Sequence, residues 1–252
     1  YPPNRYHLYY SGNELLHPYN QTALPAPRGH RPRGKGLSGG VLFNALKTAA
    51  VKRGLKVKYQ SKAQELILDD QGNVIGLIYN HLGDAPFSKV FHKLISAFAY
   101  RIRYLNLIFP ELNGFLSRIF AHLEKHGRTK RIHARQGVIL AAGGFIYNQD
   151  MVRAHAPAYL SGTPLGSLGD DGSGIVIGQN ACGATGAMDL ISAWRFITPP
   201  ESFIRGILVY EAGKRICNEE RYGAQLGEMI VERHGGSAWL ICDRDIWQAA
   251  LR

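Results

Sequence analysis

The stretch that most constrains the fold of this chain is residues 137–148, which read GVILAAGGFIYN. Its apolar run at 138–140 contains β-branched residues and follows a glycine, a pattern that favours a short buried strand over a helix. The run ends on four residues with little or no side chain, which let another group approach the backbone closely: Ala141, Ala142, Gly143 and Gly144. Ligands of open α/β sheets bind beyond the carboxyl ends of the strands. The stretch therefore predicts either a strand end that lies against a cofactor or a tight turn packed under a neighbouring helix.

Further glycine-rich motifs follow this stretch in a definite order. They are Gly169-Asp170-Asp171-Gly172-Ser173-Gly174-Ile175, then Gly183-Ala184, then GILV at 206–209 and GKRICNE at 213–219. In order and spacing they resemble the flavoprotein family of fumarate reductases, succinate dehydrogenases and 3-ketosteroid dehydrogenases. The patterns of that family are A-T-G-G-F, G-D-G-I, G-A and V-N-x-x-G-x-R-F-x-N-E. The resemblance extends from about Gly34 to Arg252, and it implies FAD as the cofactor.

The resemblance implies an α/β fold class with two parts. Residues 1–198 would form a Rossmann-like FAD-binding domain of the glutathione reductase type, with a helical hairpin inserted at about 84–130. Residues 199–252 would belong to an α+β cap domain that binds the substrate. Both domains are expected to be incomplete, so that the chain is an interior piece of a longer flavoprotein.

The expectation of an interior piece rests on the dinucleotide fingerprint of such proteins, a strand followed by G-x-G-x-x-G and a helix. Residues 34–39 match its letters, but the preceding residues 25–32 are proline-rich and cannot form a buried strand. These glycines instead predict the start of a helix at 41–53, which Gly54 ends.

The resemblance also names candidate cofactor residues. The backbone near Ala63 would lie by the adenine of FAD, and Ala141, Ala142, Gly143 and Gly144 would lie by the flavin. The family motif G-D-G-I reads Gly172-Ser173-Gly174-Ile175 here, so Ser173 stands where an aspartate is usual. Asp171 could then supply the hydrogen bond to the flavin that the missing aspartate would make.

Two branches of the family imply two catalytic residues in the segment Asn218-Glu219-Glu220-Arg221-Tyr222. In the ketosteroid branch a tyrosine at about the place of Tyr222 acts as the base, and in the fumarate reductase branch an arginine such as Arg221 delivers a proton. A phenol with its ordinary pKa near 10 is a weak base at neutral pH, and a nearby cation such as Arg221 could lower that pKa. The alternative for Tyr222 is an aromatic side chain that packs the start of the following helix.

A carboxylate-binding pair precedes these residues in the fumarate reductase branch. Glu201 and Arg205 resemble that pair, although their spacing is one residue longer than in the family. The two residues are therefore candidates for substrate binding.

These residues support three hypotheses about function. The leading one is an FAD-dependent oxidoreductase that dehydrogenates a hydrophobic, 3-ketosteroid-like ketone by proton abstraction and hydride transfer to the flavin. The second is a fumarate-reductase-like enzyme that reduces an unsaturated acid. The third is an inactive fragment that binds a membrane or a partner.

The net charge of +11 is concentrated in one segment. Residues 86–135 hold ten Lys or Arg and only two Glu, which accounts for eight of the eleven net positive charges, so a nucleic-acid-binding protein is not indicated. Within this segment the patterns at 87–109 and 112–123 predict two amphipathic helices. Residues 87–131 thus predict either peripheral contact with a membrane surface or an apolar partner, or a helical insertion packed on its own domain.

The remaining patterns predict location and local structure. Three widely spaced cysteines favour a reducing, cytoplasmic compartment and no metal site. The periodicities predict strands at 55–59, 63–68, 74–79, 132–140, 207–209 and 239–242, a hairpin turn at 69–73, and helices at 150–155, from 175 and at about 222–234.

Overall fold

The computed structural model describes residues 21, 32–34, 39–102, 109, 111–198 and 200–251. These residues form two compact units. One unit consists of residues 58–190, and the other combines the described residues up to 57 with those from 191 onward. The sequence boundary between an FAD-binding domain and a cap domain, at 198/199, stays a prediction.

The unit 58–190 contains three strands and four helices among its described residues. They are β1 (Ser61–Leu68), β2 (Val74–His81), α2 (Pro86–Ile102), α3 (Glu111–Glu124), β3 (Arg128–His133), α4 (Gln149–His155) and α5 (Ser173–Asn180), with short 3-10 helices at Leu82–Asp84 and Pro157–Tyr159. Helix α1 (Gly39–Lys52) belongs to the other unit. It confirms the helix predicted at 41–53.

The three strands form an antiparallel sheet in the order β1-β2-β3. Ala63 lies opposite Tyr79, and Leu77 lies opposite Ile132. The predicted hairpin at 69–73 is confirmed, because the carboxylate of Asp69 accepts hydrogen bonds from the backbone amides of Gln71 at 2.9 Å and Asn73 at 2.8 Å. Such a side chain satisfies the amides of a tight turn locally.

The two predicted amphipathic helices are present as α2 and α3, between β2 and β3 in the chain, while residues 103–108 lie outside the described part. Two contacts join α3 to the sheet. The side-chain amide of Asn80 donates to the carbonyl oxygen of Glu124 at 2.7 Å, and the ammonium of Lys62 lies 2.8 Å from the carboxylate of Glu124. The side chains of Leu116 and Leu123, both in α3, are buried.

Three strand predictions are wrong. Residues 55–59 and 138–140 are not assigned to any sheet, and the strand predicted at 132–140 lies instead at 128–133, paired with β2. The side chain of Ile139, which the sequence predicts to be buried, is 93% exposed. A strand requires a neighbouring backbone as hydrogen-bond partner, and the described residues place none beside 138–140. An apolar run alone does not supply one.

The other unit contains a small α+β arrangement. Besides α1 it holds β4 (Ile207–Val209), α6 (Gly223–His234), β5 (Trp239–Ile241), α7 (Arg244–Ala250) and a 3-10 helix at Glu201–Arg205. β4 and β5 pair antiparallel, with Leu208 opposite Leu240. The strands predicted at 207–209 and 239–242 and the helix predicted at about 222–234 are thereby confirmed. The buried cluster of this unit consists of Ile197, Leu208, Ile216, Leu226 and Ile230.

Leu226 is the most deeply buried member of that cluster, with 1% of its surface exposed. We expect Leu226→Ala to lower the free energy of unfolding by about 2–5 kcal/mol, because it removes buried methyl groups and leaves a cavity. Urea denaturation of the full-length protein measures this change. Leu251→Ala is the matched control, since the side chain of Leu251 is exposed and its loss should change stability by less than about 0.5 kcal/mol. Equal effects of the two substitutions would contradict the assigned core.

Candidate functional site

The two stretches that supply the candidate flavin residues lie side by side in the unit 58–190. The backbone amide of Gly172 donates to the carbonyl oxygen of Gly144 at 3.0 Å, and the amide of Tyr147 donates to the carbonyl oxygen of Asp170 at 3.0 Å. The side-chain amide of Asn148 donates to the carbonyl oxygen of Asp171, also at 3.0 Å. Residues 23 to 28 positions apart in the sequence are thus joined by hydrogen bonds to backbone carbonyl oxygens.

Small side chains are a steric requirement of this arrangement. A Cβ atom placed on Gly174 would lie 2.7 Å from the Cβ atom of Ala142, a separation that real structures do not tolerate. Gly143 has φ of +86°, in the left-handed region, and a Cβ atom there would collide with the carboxylate of Asp170. The glycines of both motifs therefore allow the segment 141–144 to lie directly against the start of α5.

The segment 141–144 is open on its other side. Ala141, Ala142, Gly143 and Gly144 are exposed, whereas the next side chain, Phe145, is buried and anchors the segment. A Cβ atom on Gly144 would meet no atom within 4 Å. The result is a strip of accessible backbone beside a helix N-terminus, where the first amides lack partners within the helix.

Asp171 and Ser173 are connected through the backbone. The carboxylate of Asp171 accepts a hydrogen bond from the backbone amide of Ser173 at 2.9 Å and so satisfies one amide of the first turn of α5. The neighbouring Asp170 accepts from the backbone amide of Ser167 at 2.8 Å. Burial raises the pKa of Tyr147, and the negative charge of Asp170 raises it further. Tyr147 and Asp170 are not among the residues that the sequence motifs single out for a role.

Ala63 occupies a half-buried position in β1, and α5 packs against that strand. The candidate adenine-side residue and the candidate flavin-side residues thus belong to one unit. The roles of Ala63, of the strip 141–144 and of Asp171, Ser173 and Gly174 toward FAD stay predictions.

The candidate catalytic residues lie in the other unit. Tyr222 immediately precedes α6, and the amide of Leu226 donates to its carbonyl oxygen at 3.1 Å. The ring of Tyr222 contacts the ring of Trp194 edge to face, with 4.9 Å between centroids. Trp194 in turn lies 5.5 Å from the ring of Phe196. Tyr222 therefore belongs to an aromatic cluster with Trp194 and Phe196.

The sequence patterns did not identify Trp194 and Phe196, although a signal for their position exists. Gly223 and Gly227 lie one turn apart on α6 and receive the extended segment 193–196. A Cβ atom on Gly223 would lie 3.0 Å from the carbonyl oxygen of Arg195, and one on Gly227 would collide with the carbonyl group of Ala193. Two glycines at this spacing allow close packing on a helix face.

Arg221 places a positive charge next to Tyr222 in the sequence. Its Nε atom is buried and has no hydrogen-bond partner among the residues that the structure describes. Burial raises the pKa of the nearby Cys217 thiol, and the charge of Arg221 opposes that shift only in part. A buried donor without an acceptor is costly, and it is therefore a candidate to bind an oxygen of a ligand.

The loop that carries Arg221 and Tyr222 is fastened by Glu219, whose exposed fraction is only 3%. The Glu219 carboxylate accepts hydrogen bonds from the backbone amide of Leu208 at 2.8 Å and from Nε of Arg215 at 3.2 Å, and it also pairs with Nη2 of Arg215. Burial raises the pKa of Glu219, but the bonds from Arg215 and Leu208 lower it more, so that its pKa lies below the ordinary value near 4.5. Within the motif 213–219, the buried Glu219 and the more exposed Arg215 thus form one ion-paired anchor.

Glu201 and Arg205 lie at the two ends of the short 3-10 helix Glu201–Arg205, and both are exposed. This helix packs against α7, and the ring of Phe203 stacks on that of Trp247 with 6.1 Å between centroids. The role of Glu201 and Arg205 in binding a substrate carboxylate stays a prediction.

Comparison with known proteins identifies the family. Residues 16–252 match the family described as FAD binding domain. The chain belongs to this family. The match confirms FAD as the predicted cofactor and the flavoprotein family as the predicted relationship.

Individual relatives come from both predicted branches. A 3-oxo-5-alpha-steroid 4-dehydrogenase of Comamonas testosteroni is 33% identical over 99% of this chain and 47% of that protein. A probable fumarate reductase of Shewanella frigidimarina is 20% identical over 88% of the chain and 32% of that protein. A 3-oxosteroid 1-dehydrogenase of Mycobacterium tuberculosis is 28% identical over 56% of the chain and 29% of that protein. The chain spans less than half the length of these curated relatives.

A solved structure supports the fold assignment. The 3-ketosteroid-Δ4-(5α)-dehydrogenase of Rhodococcus jostii RHA1, in complex with 4-androstene-3,17-dione, aligns with a TM-score of 0.67 at 29% identity. The alignment covers 96% of this chain and 42% of that one. The predicted α/β fold class of the FAD-binding type is thereby confirmed.

The described residues fit a flavin. The strip 141–144 exposes backbone with minimal side chains, and the start of α5 directs amides and the positive end of its dipole to the same region. Ala141 to Gly144 and the residues from Asp171 to Gly174 would hold the group on this side.

Gly174→Ala should reduce the amount of bound flavin, because the added methyl group displaces the strip from α5. The ratio of flavin absorbance to protein in the purified full-length protein measures this effect. Gly186→Ala is the control, since a Cβ atom there meets nothing within 4 Å. Adding Ala142→Gly to Gly174→Ala should restore flavin content, since it removes the other methyl group. Full flavin content in Gly174→Ala would contradict the close approach.

Glu219→Gln should lower the free energy of unfolding at neutral pH by about 1–3 kcal/mol, the usual loss when a buried charged hydrogen bond is removed. Because the folded pKa of Glu219 is lowered, its contribution is present above the unfolded pKa and is lost as pH falls through the folded pKa. The difference between wild type and variant should therefore shrink below about pH 4.5. Denaturation across that pH range tests this expectation, with the exposed Glu220→Gln as control. A difference independent of pH would be inconsistent with a buried ionised carboxylate.

Proposed function

We propose that the protein is an FAD-dependent dehydrogenase that acts on a 3-keto steroid or a similar hydrophobic ring ketone. The observation that carries this proposal is the aromatic cluster at Tyr222, where the phenol ring packs on Trp194 and Arg221 is the preceding residue. The names of the relatives support the same substrate class, since two of those described above are steroid dehydrogenases.

The position of the new double bond is proposed to be between C4 and C5. The relative and the solved structure that align along nearly the whole chain both carry names of 4-dehydrogenases. The 1-dehydrogenase aligns with only 56% of the chain.

The chemistry assigns separate tasks to the cofactor and to the residues of this chain. Bound flavin supplies a hydride acceptor, so the reaction removes one proton and one hydride and leaves a carbon–carbon double bond. Tyr222 takes the proton from the carbon next to the carbonyl group, as a positioned base. The buried Nε of Arg221 stabilises the negative charge that develops on oxygen as the proton leaves. Trp194 and Phe196 offer partly exposed ring surface to an apolar substrate.

A second candidate is reduction of an unsaturated acid, as in the fumarate reductase branch. It is favoured by Glu201 and Arg205, whose exposed side chains could bind a carboxylate. In that reaction Arg221 would deliver the proton in place of Tyr222. Dye-coupled oxidation of a saturated 3-keto steroid, compared with fumarate reduction by a reduced dye, separates the two activities. A third candidate, an inactive fragment that binds a membrane or partner, is favoured if neither activity is present.

Tyr222→Phe keeps the ring that packs on Trp194 but removes the hydroxyl group. We expect turnover of a 3-keto steroid to fall by roughly 100-fold or more, the usual weight of a positioned acid or base, while flavin content stays unchanged. Stopped-flow reduction of the flavin by substrate measures the step directly. Tyr210→Phe is the control, because Tyr210 stacks on His234 in the same unit. Turnover that survives in Tyr222→Phe would assign Tyr222 to packing alone.

The location of the protein is proposed to be cytoplasmic, with the segment 87–131 in peripheral contact with a membrane. The charge pattern of the sequence supports membrane contact. A steroid-like substrate also partitions into bilayers, so an enzyme at the membrane surface meets a higher concentration of its substrate.

A further inference from the structure

Helix α2 turns its apolar face away from the unit to which it belongs. Five apolar side chains recur at intervals of three and four along it and are 53–90% exposed: Phe87, Val90, Phe91, Leu94 and Phe98. We call these five residues the apolar stripe. Side chains at this spacing share one face of a helix. A helix that packs as an ordinary insertion buries this face, so the observed orientation is the reverse of the expected one.

The side of α2 that faces inward is partly polar. Ser88, His92 and Ser96 are less exposed than the apolar stripe, and the ring of His92 packs edge to face against Phe120 of α3, with 5.1 Å between centroids. The side-chain amide of Gln60 donates to the carbonyl oxygen of Lys89 at 2.9 Å and ties the helix to the chain before β1. These contacts fix the rotation of α2, so the apolar stripe is held outward.

Positive charge borders the apolar stripe. Lys89 and Lys93 are exposed on the flank of the helix between the apolar stripe and the inward side, and Arg101 is exposed at the end of the helix. Residues 86–102 contain no acidic side chain. On α3, Phe115 and Arg118 repeat the combination of an exposed aromatic ring and an exposed cation. An apolar face with cations at its edge complements a surface that carries anionic groups above hydrocarbon.

We propose that α2 lies flat on an anionic phospholipid bilayer, with the apolar stripe inserted between the headgroups and with Lys89 and Lys93 on lipid phosphates. Among the described residues no helix combines the length and apolarity needed to cross a bilayer. The contact is therefore interfacial. This inference names the surface that the proposed membrane contact uses, and it does not depend on the flavin chemistry, so either can fail without the other.

The test is co-sedimentation of the full-length protein with vesicles of phosphatidylcholine alone and of phosphatidylcholine mixed with phosphatidylglycerol. We expect binding to the mixed vesicles at low salt. Phe87→Ser combined with Phe91→Ser should weaken it by roughly 10-fold or more, because less apolar area is inserted. Lys89→Gln combined with Lys93→Gln should weaken it by about 5-fold per lysine, and added salt should have a similar effect on the wild type.

Matched controls distinguish binding through this surface from nonspecific adsorption to vesicles. Phe43→Ser removes an exposed aromatic ring from α1, and Lys56→Gln with Lys58→Gln removes two exposed cations outside the segment. Neither control should change vesicle binding, and all variants should retain wild-type flavin content. Phe91→Trp should in addition show tryptophan emission that brominated or spin-labelled lipid quenches.

Three results would overturn the proposal. The first is the absence of vesicle binding at low salt. The second is binding that does not respond to the stripe variant. The third is self-association in sedimentation velocity that the stripe variant abolishes while vesicle binding is unaffected, since the apolar stripe would then bind a second copy of the chain.

Discussion

Close approach of backbone to helix is the constraint on which both units of this protein depend. In one unit Gly174 and Gly143 let the strip 141–144 lie against the start of α5. In the other, Gly223 and Gly227 let the segment 193–196 lie on α6 and bring Trp194 to Tyr222. Any side chain at these positions would separate the elements, because packed interiors have no room for an extra methyl group. The candidate flavin strip and the candidate catalytic aromatic cluster thus have the same physical origin.

A buried charge holds the candidate catalytic loop in place. Glu219 joins β4, the turn that carries Arg215 and the residues that lead to Tyr222 into one hydrogen-bonded arrangement. Removing an ionised carboxylate from water is costly, and three hydrogen bonds, two of them from a guanidinium, offset that cost. An arrangement of this kind holds the loop in one geometry, which a positioned base and a charge-stabilising donor both require. The steroid dehydrogenase proposal therefore depends on a residue that need not touch the substrate.

The helical insertion differs from the buried cluster of the other unit. In the cluster around Leu226 the apolar side chains lie inside. In α2 the less exposed side chains include Ser88, His92 and Ser96, and the apolar stripe is outside. An exposed apolar surface of this size marks an interaction site in soluble proteins. The cations at its edge are the reason to assign a lipid surface to it.

The sequence by itself determined the family, the cofactor, the two hairpin-forming strands β1 and β2, and most of the helices, because glycine motifs and helical periodicity are local properties of the chain. Its motifs also identified the candidate flavin residues and Tyr222. It could not determine whether the apolar run 138–140 is a strand, because strand formation depends on a partner backbone elsewhere in space. Only the tertiary structure decided that Trp194 and Phe196 accompany Tyr222, that the buried Glu219 pairs with Arg215, and that the apolar stripe of α2 faces outward. A helical period shows which side chains share a face, but packing against neighbours decides which way that face points.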